Sequence, residues 1–122
     1  MKLHLTSASD NNLITGYGEG WVEINQVRFS SYLVVMPDTI IHDWKIADFD
    51  QLTAEHFAKL AELKPEVVLL GTGKTQRFIH PSLSRALTEA SIGVECMDTA
   101  AACRTYNFLM AESRHVAALL II

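Results

Sequence analysis

The sequence predicts a single α/β domain in which a strand-rich first half packs onto a β-α-β-α-β second half. Three observations carry that expectation. Up to Trp44, short apolar runs alternate with turn residues, the rhythm of an antiparallel sheet. From Thr53 onward, stretches with helical spacing alternate with short apolar runs, as in strands joined by helical crossovers. The length of 122 residues, with no linker, low-complexity segment or long repeat, fits one core spanning 1–122.

Each element has its own signal. Lys2 to Thr6 and Leu13 to Thr15 read as short strands before a break at Gly16-Tyr17-Gly18-Glu19-Gly20. Trp21 to Ile24 and Val27 to Phe29 flank the polar pair Asn25-Gln26, which predicts a hairpin. The second arm is expected to run on through Tyr32 to Met36 and stop at Pro37, because proline cannot donate to a ladder. Thr39 to His42 reads as one more strand. Thr53 is the expected N-cap of a helix with Glu55 at its positive end and Phe57, Leu60 and Ala61 as its apolar stripe, closed by Pro65.

Glu66 to Leu70 then reads as a buried strand ended by Gly71. Pro81 is expected to open a second helix carrying Leu83, Ala86, Leu87 and Ala90 on one face, with Gly93 breaking it. Val94 to Met97 is the next strand. Asp98 or Thr99 caps a third helix that runs to about Ser113, and Val116 to Ile121 is the last strand.

Composition narrows the function classes. Ten Lys plus Arg against fourteen Asp plus Glu give a net charge of −4, the wrong sign for broad phosphate-backbone binding, so nucleic acid is not an expected partner. The longest apolar run, Val116 to Ile122, falls far short of the roughly 20 residues of a membrane helix. Met1 to Ser7 lacks the apolar core of a secretory signal. Cys96 and Cys103 have no nearby Cys or His to complete a zinc set, so both are expected as reduced thiols of a cytoplasmic protein.

Familiar catalytic motifs fail on spacing. Gly73-Lys74-Thr75 follows a strand like the end of a phosphate-binding loop, but that motif needs a glycine five positions earlier, where Val68 stands. Gly16, Gly18 and Gly20 miss the dinucleotide spacing and lie between antiparallel strands, which makes them a turn. His4, His42, His56, His80 and His115 form no HxH or HxxxH pair. No serine occupies a GxSxG elbow, and Cys96 reads as a buried, inert thiol at a strand end. Accordingly no catalytic residue, metal or cofactor is assigned.

The segment from Glu95 to Asn107 is chemically the richest. Its helix is apolar through Ala102, Cys103, Tyr106, Leu109 and Met110, so it must be covered on more than one side, while Arg104 and Asn107 share a polar stripe. In one reading Asp98 only caps the helix, Arg104 pairs with Glu95 or Asp98, and Asn107 satisfies the backbone of a neighbouring loop. In the other, the strands ending at Leu70 and Met97 are parallel neighbours. Gly71, Thr72, Gly73 and Lys74 then meet Asp98 and Thr99 at the sheet edge where open α/β folds bind ligands, and Arg104 and Asn107 complete a small polar pocket.

Leu69-Leu70-Gly71-Thr72-Gly73, Pro81, Gly93 to Thr99, Ala102-Cys103-Arg104-Thr105-Tyr106-Asn107, Glu112, Arg114 and Val116 to Leu120 are specific in combination, and Tyr17-Gly18, Trp21 to Ile24 and Pro37 agree with them. The chain resembles, over nearly its whole length, the small-domain family of uncharacterised proteins that includes the mitochondrial NADH dehydrogenase assembly factor and the adipogenesis-associated mammalian protein. The resemblance implies a three-layer domain with a mixed central sheet and an additional antiparallel β layer. It supplies no accepted reaction. By analogy the expected function is a non-enzymatic interaction domain serving assembly of a respiratory complex, with that complex's subunits as protein partners. The rival expectation is a small-molecule binder or enzyme at the Gly71 and Asp98 edge. A homo-oligomer is expected as well, from the wide apolar face of the last helix and the exposed edges of the hairpin.

Overall fold

The computed structural model describes residues 11–44, 46 and 48–122; the strand expected at Lys2 to Thr6 lies outside them. Strands β1 (Ile14–Gly18), β2 (Trp21–Ile24) and β3 (Val27–Phe29) form an antiparallel sheet in that order. The polar pair between β2 and β3 is a tight turn with both residues at positive φ, Asn25 at 50° and Gln26 at 72°. That geometry suits the right-handed twist of a hairpin and tolerates asparagine well. The glycines divide differently from the expected break. Gly16 and Gly18 lie inside β1, and Gly20, at φ 81°, makes the turn.

The second arm does not continue past Phe29. Strand β4 (Leu33–Met36) belongs to a second sheet, with β5 (Thr39–Ile41), β6 (Val67–Gly71), β7 (Gly93–Met97) and β8 (Val116–Leu120), in the order β5-β4-β8-β6-β7. The reason is burial. All four residues of β4 are buried, whereas β3 is mostly exposed, so the unbroken apolar run Leu33-Val34-Val35-Met36 takes a place covered on both faces. β6 runs parallel to β7 and β8, and β4 pairs antiparallel with β8 and β5, so the central sheet is mixed.

Side chains of the central strands alternate between two cores. Val34, Met36, Val68, Leu70, Ala117 and Leu119 face one side, where Phe57 and Leu60 of α1 (Ala54–Glu62) and Leu87 of α2 (Arg85–Glu89) cover them. Leu33, Val35, Leu69, Val116, Ala118 and Leu120 face the other. There they meet Ala102, Cys103, Tyr106 and Met110 of α3 (Thr99–Ala111) and Ile14, Val22 and Ile24 of the small sheet. This is the expected three-layer α/β arrangement, with α3 covered by the central sheet and flanked by β1.

Helix α2 is shorter than expected. Residues 81–84 form a hydrogen-bonded turn in which Ser84 N–H donates to the Pro81 carbonyl, and the helix starts only at Arg85. Nor does Gly93 end it: Ser91 takes the left-handed position at φ 61°, and Gly93 opens β7.

Candidate functional site

The parallel strands β6, β7 and β8 end together, so the loops after Gly71, Met97 and Leu120 emerge at one edge. Gly71 is required there by close approach: a Cβ would stand 3.1 Å from the Thr99 Cα, the Ala102 Cβ and the Leu120 side chain. The next residues are held from inside. Thr72 is buried, its hydroxyl donating to the Thr75 carbonyl at 2.6 Å and accepting the Arg77 N–H at 3.0 Å. Gly73, at φ 100°, donates its N–H to the Thr99 hydroxyl at 2.8 Å, while its carbonyl accepts the Thr99 N–H at 2.9 Å. The Thr99 hydroxyl in turn donates to the Ile121 carbonyl at 2.6 Å, tying three chain segments through one oxygen.

Asp98 caps α3, its carboxylate accepting the Ala101 N–H at 2.9 Å. Lys74 leaves the joint and meets Glu19 at the β1–β2 tip, with Nζ 2.7 Å from Oε2 and both side chains exposed. The bond to Lys74 holds the Glu19 carboxyl below the usual carboxylate range. Six of the eight candidate residues, Gly71, Thr72, Gly73, Lys74, Asp98 and Thr99, therefore come together. The hydroxyls and backbone groups at the centre of that group are bonded to one another.

Arg104 and Asn107 project toward β1 instead. Arg104 donates to the Tyr17 hydroxyl at 3.0 Å, a phenol and not the expected Glu95 or Asp98 carboxylate. Asn107 is a clamp on β1: its side-chain oxygen accepts the Ile14 N–H at 2.9 Å, and its amide nitrogen donates to the Ile14 carbonyl at 2.8 Å. Both outward-facing groups of one strand residue are thus satisfied by one side chain, the backbone role weighed for Asn107.

In front of the joint opens a cleft of about 420 Å³ between the β1–β2 tip and the start of α3. Tyr17, Trp21, Ile121 and Ile122 give it apolar walls, and Lys74, Asp98 and Thr99 supply its polar side. Reading the sequence for motifs misses Tyr17, Glu19 and Trp21. The signal was present as Gly16-x-Gly18 opposite a tryptophan. A Cβ on Gly18 would stand 2.5 Å from Trp21 Nε1 and one on Gly16 3.4 Å from the same ring, so the glycines form a trough for the indole. The Arg28 guanidinium lies over that ring at 3.8 Å from its centre.

Among the described residues no group of three or more His, Cys, Asp or Glu is arranged to hold a metal ion. Burial pushes the Cys103 thiol up to about 12 and raises that of Cys96, the opposite of an activated nucleophile. No helix among the described residues is long and apolar enough to cross a membrane.

Fold and cleft define the class: a small three-layer α/β domain presenting a mostly apolar cleft at the carboxyl ends of its parallel strands. Over residues 14–121 the chain matches, and it belongs to, the family described as protein of unknown function (DUF498/DUF598). It is 37% identical over 90 residues to NADH dehydrogenase (ubiquinone) 1 alpha subcomplex assembly factor 3 of Mus musculus, covering 72% of this chain and 48% of that protein. The Bos taurus protein of the same name is 32% identical over 110 residues, covering 88% of this chain and 59% of its own length. The chain thus spans about half to three-fifths of these relatives. A crystal structure of a Bordetella parapertussis protein superimposes with a TM-score of 0.85 at 43% identity, covering 91% of this chain and 95% of that one.

Proposed function

We propose that the chain is a non-enzymatic protein-interaction domain that takes part in assembling a membrane-bound respiratory complex, working from the aqueous side and engaging that complex's subunits. The observation that carries this reading is the 32% identity to the bovine assembly factor across 88% of the chain. The geometry supports it. The polar groups behind the cleft are spent on holding loops together, and the cleft itself has the apolar walls and charged lip that suit a partner's side chain. Net charge of −4 supports protein over nucleic acid as the partner, and two free thiols support a reducing, cytoplasmic setting.

Mild affinity capture with the tagged chain, read by mass spectrometry, is expected to recover NADH dehydrogenase subunits. Deletion of its gene is expected to lower the level of the assembled complex. Recovery of the chain alone together with normal assembly in the deletion strain overturns the proposal.

The cleft favours a second reading, a small-molecule site formed by Trp21, Tyr17, Lys74, Asp98 and Thr99. A metabolite that raises the melting temperature of the native chain but not of Trp21→Ala supports it, and a screen in which no metabolite does so sinks it.

A further inference from the structure

We propose that the outward face of α3 is the two-fold interface of a dimer of this chain. Arg104, Phe108 and Glu112 are spaced i, i+4, i+8 on α3 and its C-cap, and all three are exposed. Phe108 is 63% exposed, which a phenylalanine in water disfavours. Tyr17, 38% exposed, touches Arg104 through its hydroxyl. Two of the five large apolar side chains that the described surface exposes, Tyr17 and Phe108, thus meet around Arg104 on this face.

The charge pattern names the occupant. Arg104 and Glu112 are placed symmetrically, four residues either side of Phe108. Along a helix they are roughly 12 Å apart, too far to pair with each other. The hydrogen-bond partner of the Arg104 side chain is the Tyr17 phenol, and among the described residues no ion pair includes Arg104 or Glu112. When two copies of α3 cross antiparallel at Phe108, the rings meet on the two-fold axis. Arg104 of each copy then lies opposite Glu112 of the other, the reciprocity that an isologous interface demands. Ala101 and Ala111, on the same face, leave room for the helices to approach. A surface complementary to itself points to a second copy in preference to any other partner.

Sedimentation velocity on the purified whole chain, from micromolar to millimolar concentration, tests this without any respiratory partner, so its outcome is independent of the function proposed above. The wild-type chain is expected to pass from monomer to dimer, and Phe108→Ser to weaken the dimer by about tenfold or more. Arg104→Glu and Glu112→Arg each set like charges opposite one another and weaken it too. The double variant Arg104→Glu, Glu112→Arg restores it, which no contact within one chain would do. Circular dichroism identical to wild type shows that each variant is folded. A chain that stays monomeric throughout, a dimer indifferent to Phe108→Ser, or a double variant no better than the single ones overturns the proposal.

Discussion

Trp21 lies across β1 because Gly16 and Gly18 leave no side chains in its way, and Arg28 closes over its other face. Gly18→Ala removes the trough: the new methyl would start 2.5 Å from Nε1, so the indole must lift away. The expected outcome is a red-shifted tryptophan emission and a stability loss of about 1–3 kcal/mol in urea unfolding. Asn107 makes the complementary point about polar groups. Replacing it by leucine leaves the Ile14 N–H and carbonyl facing an apolar side chain, which costs about 1–3 kcal/mol, read as a lower urea midpoint with an unchanged slope. Neither role is a local property of the sequence. A glycine trough needs the cross-strand register that places Gly18 opposite Trp21, and an asparagine clamp needs a strand 93 positions away. Asp98 was legible because capping is local: its carboxylate and the Ala101 N–H are three residues apart.

Element boundaries obey the same distinction. Helix α1 was readable because the Thr53 cap, the Phe57 and Leu60 stripe and the Pro65 stop all lie within a dozen residues. Its cap has an unusual member, His56, whose Nδ1 accepts the Thr53 N–H at 3.0 Å while the ring stacks on Trp44. Burial, and then the nearby Lys59 charge, hold its pKa below the ordinary imidazole value of 6.5. The folded state therefore resists protonating His56 more than the unfolded chain does. The stability this confers is present above pH 6.5 and is lost as the pH falls through the lowered value. In His56→Gln the amide oxygen remains an acceptor at every pH. The two proteins are expected to have similar urea midpoints at about pH 7.5, with the variant ahead by a fraction of a kcal/mol at about pH 5. Helix α2 and the path after Phe29 were misread for a non-local reason: only packing decides whether an apolar run stays in its hairpin or joins the central sheet.

At the scale of the whole molecule, the two cores on either side of the central sheet take up the apolar runs that dominate the second half of the sequence. Cys103 reports on the integrity of the core beneath α3. Fully buried, with its thiol pushed up to about 12, it is expected to react with iodoacetamide at pH 8 only when the domain opens, so labelling follows the population of the open state. Fast labelling of Cys103 in the native protein would contradict the burial described. The β-α-β-α-β order and the edge where its strands end were legible because helical and strand periods alternate so plainly after Thr53. That the groups at this edge bond one another, and leave an apolar cleft in front, required the loops in three dimensions.

The order of strands in the central sheet has a consequence for how the chain is made. β8 comes last of the eight strands among the described residues, yet it sits in the middle, and the β5-β4 pair reaches β6 and β7 only through it. Until those residues have left the ribosome, the sheet is two unconnected halves with their apolar faces open to water. The domain must therefore complete its core after synthesis of β8, in a step dominated by contacts distant in sequence. It is in this interval, before the middle strand arrives, that the nascent chain is most exposed to unwanted association.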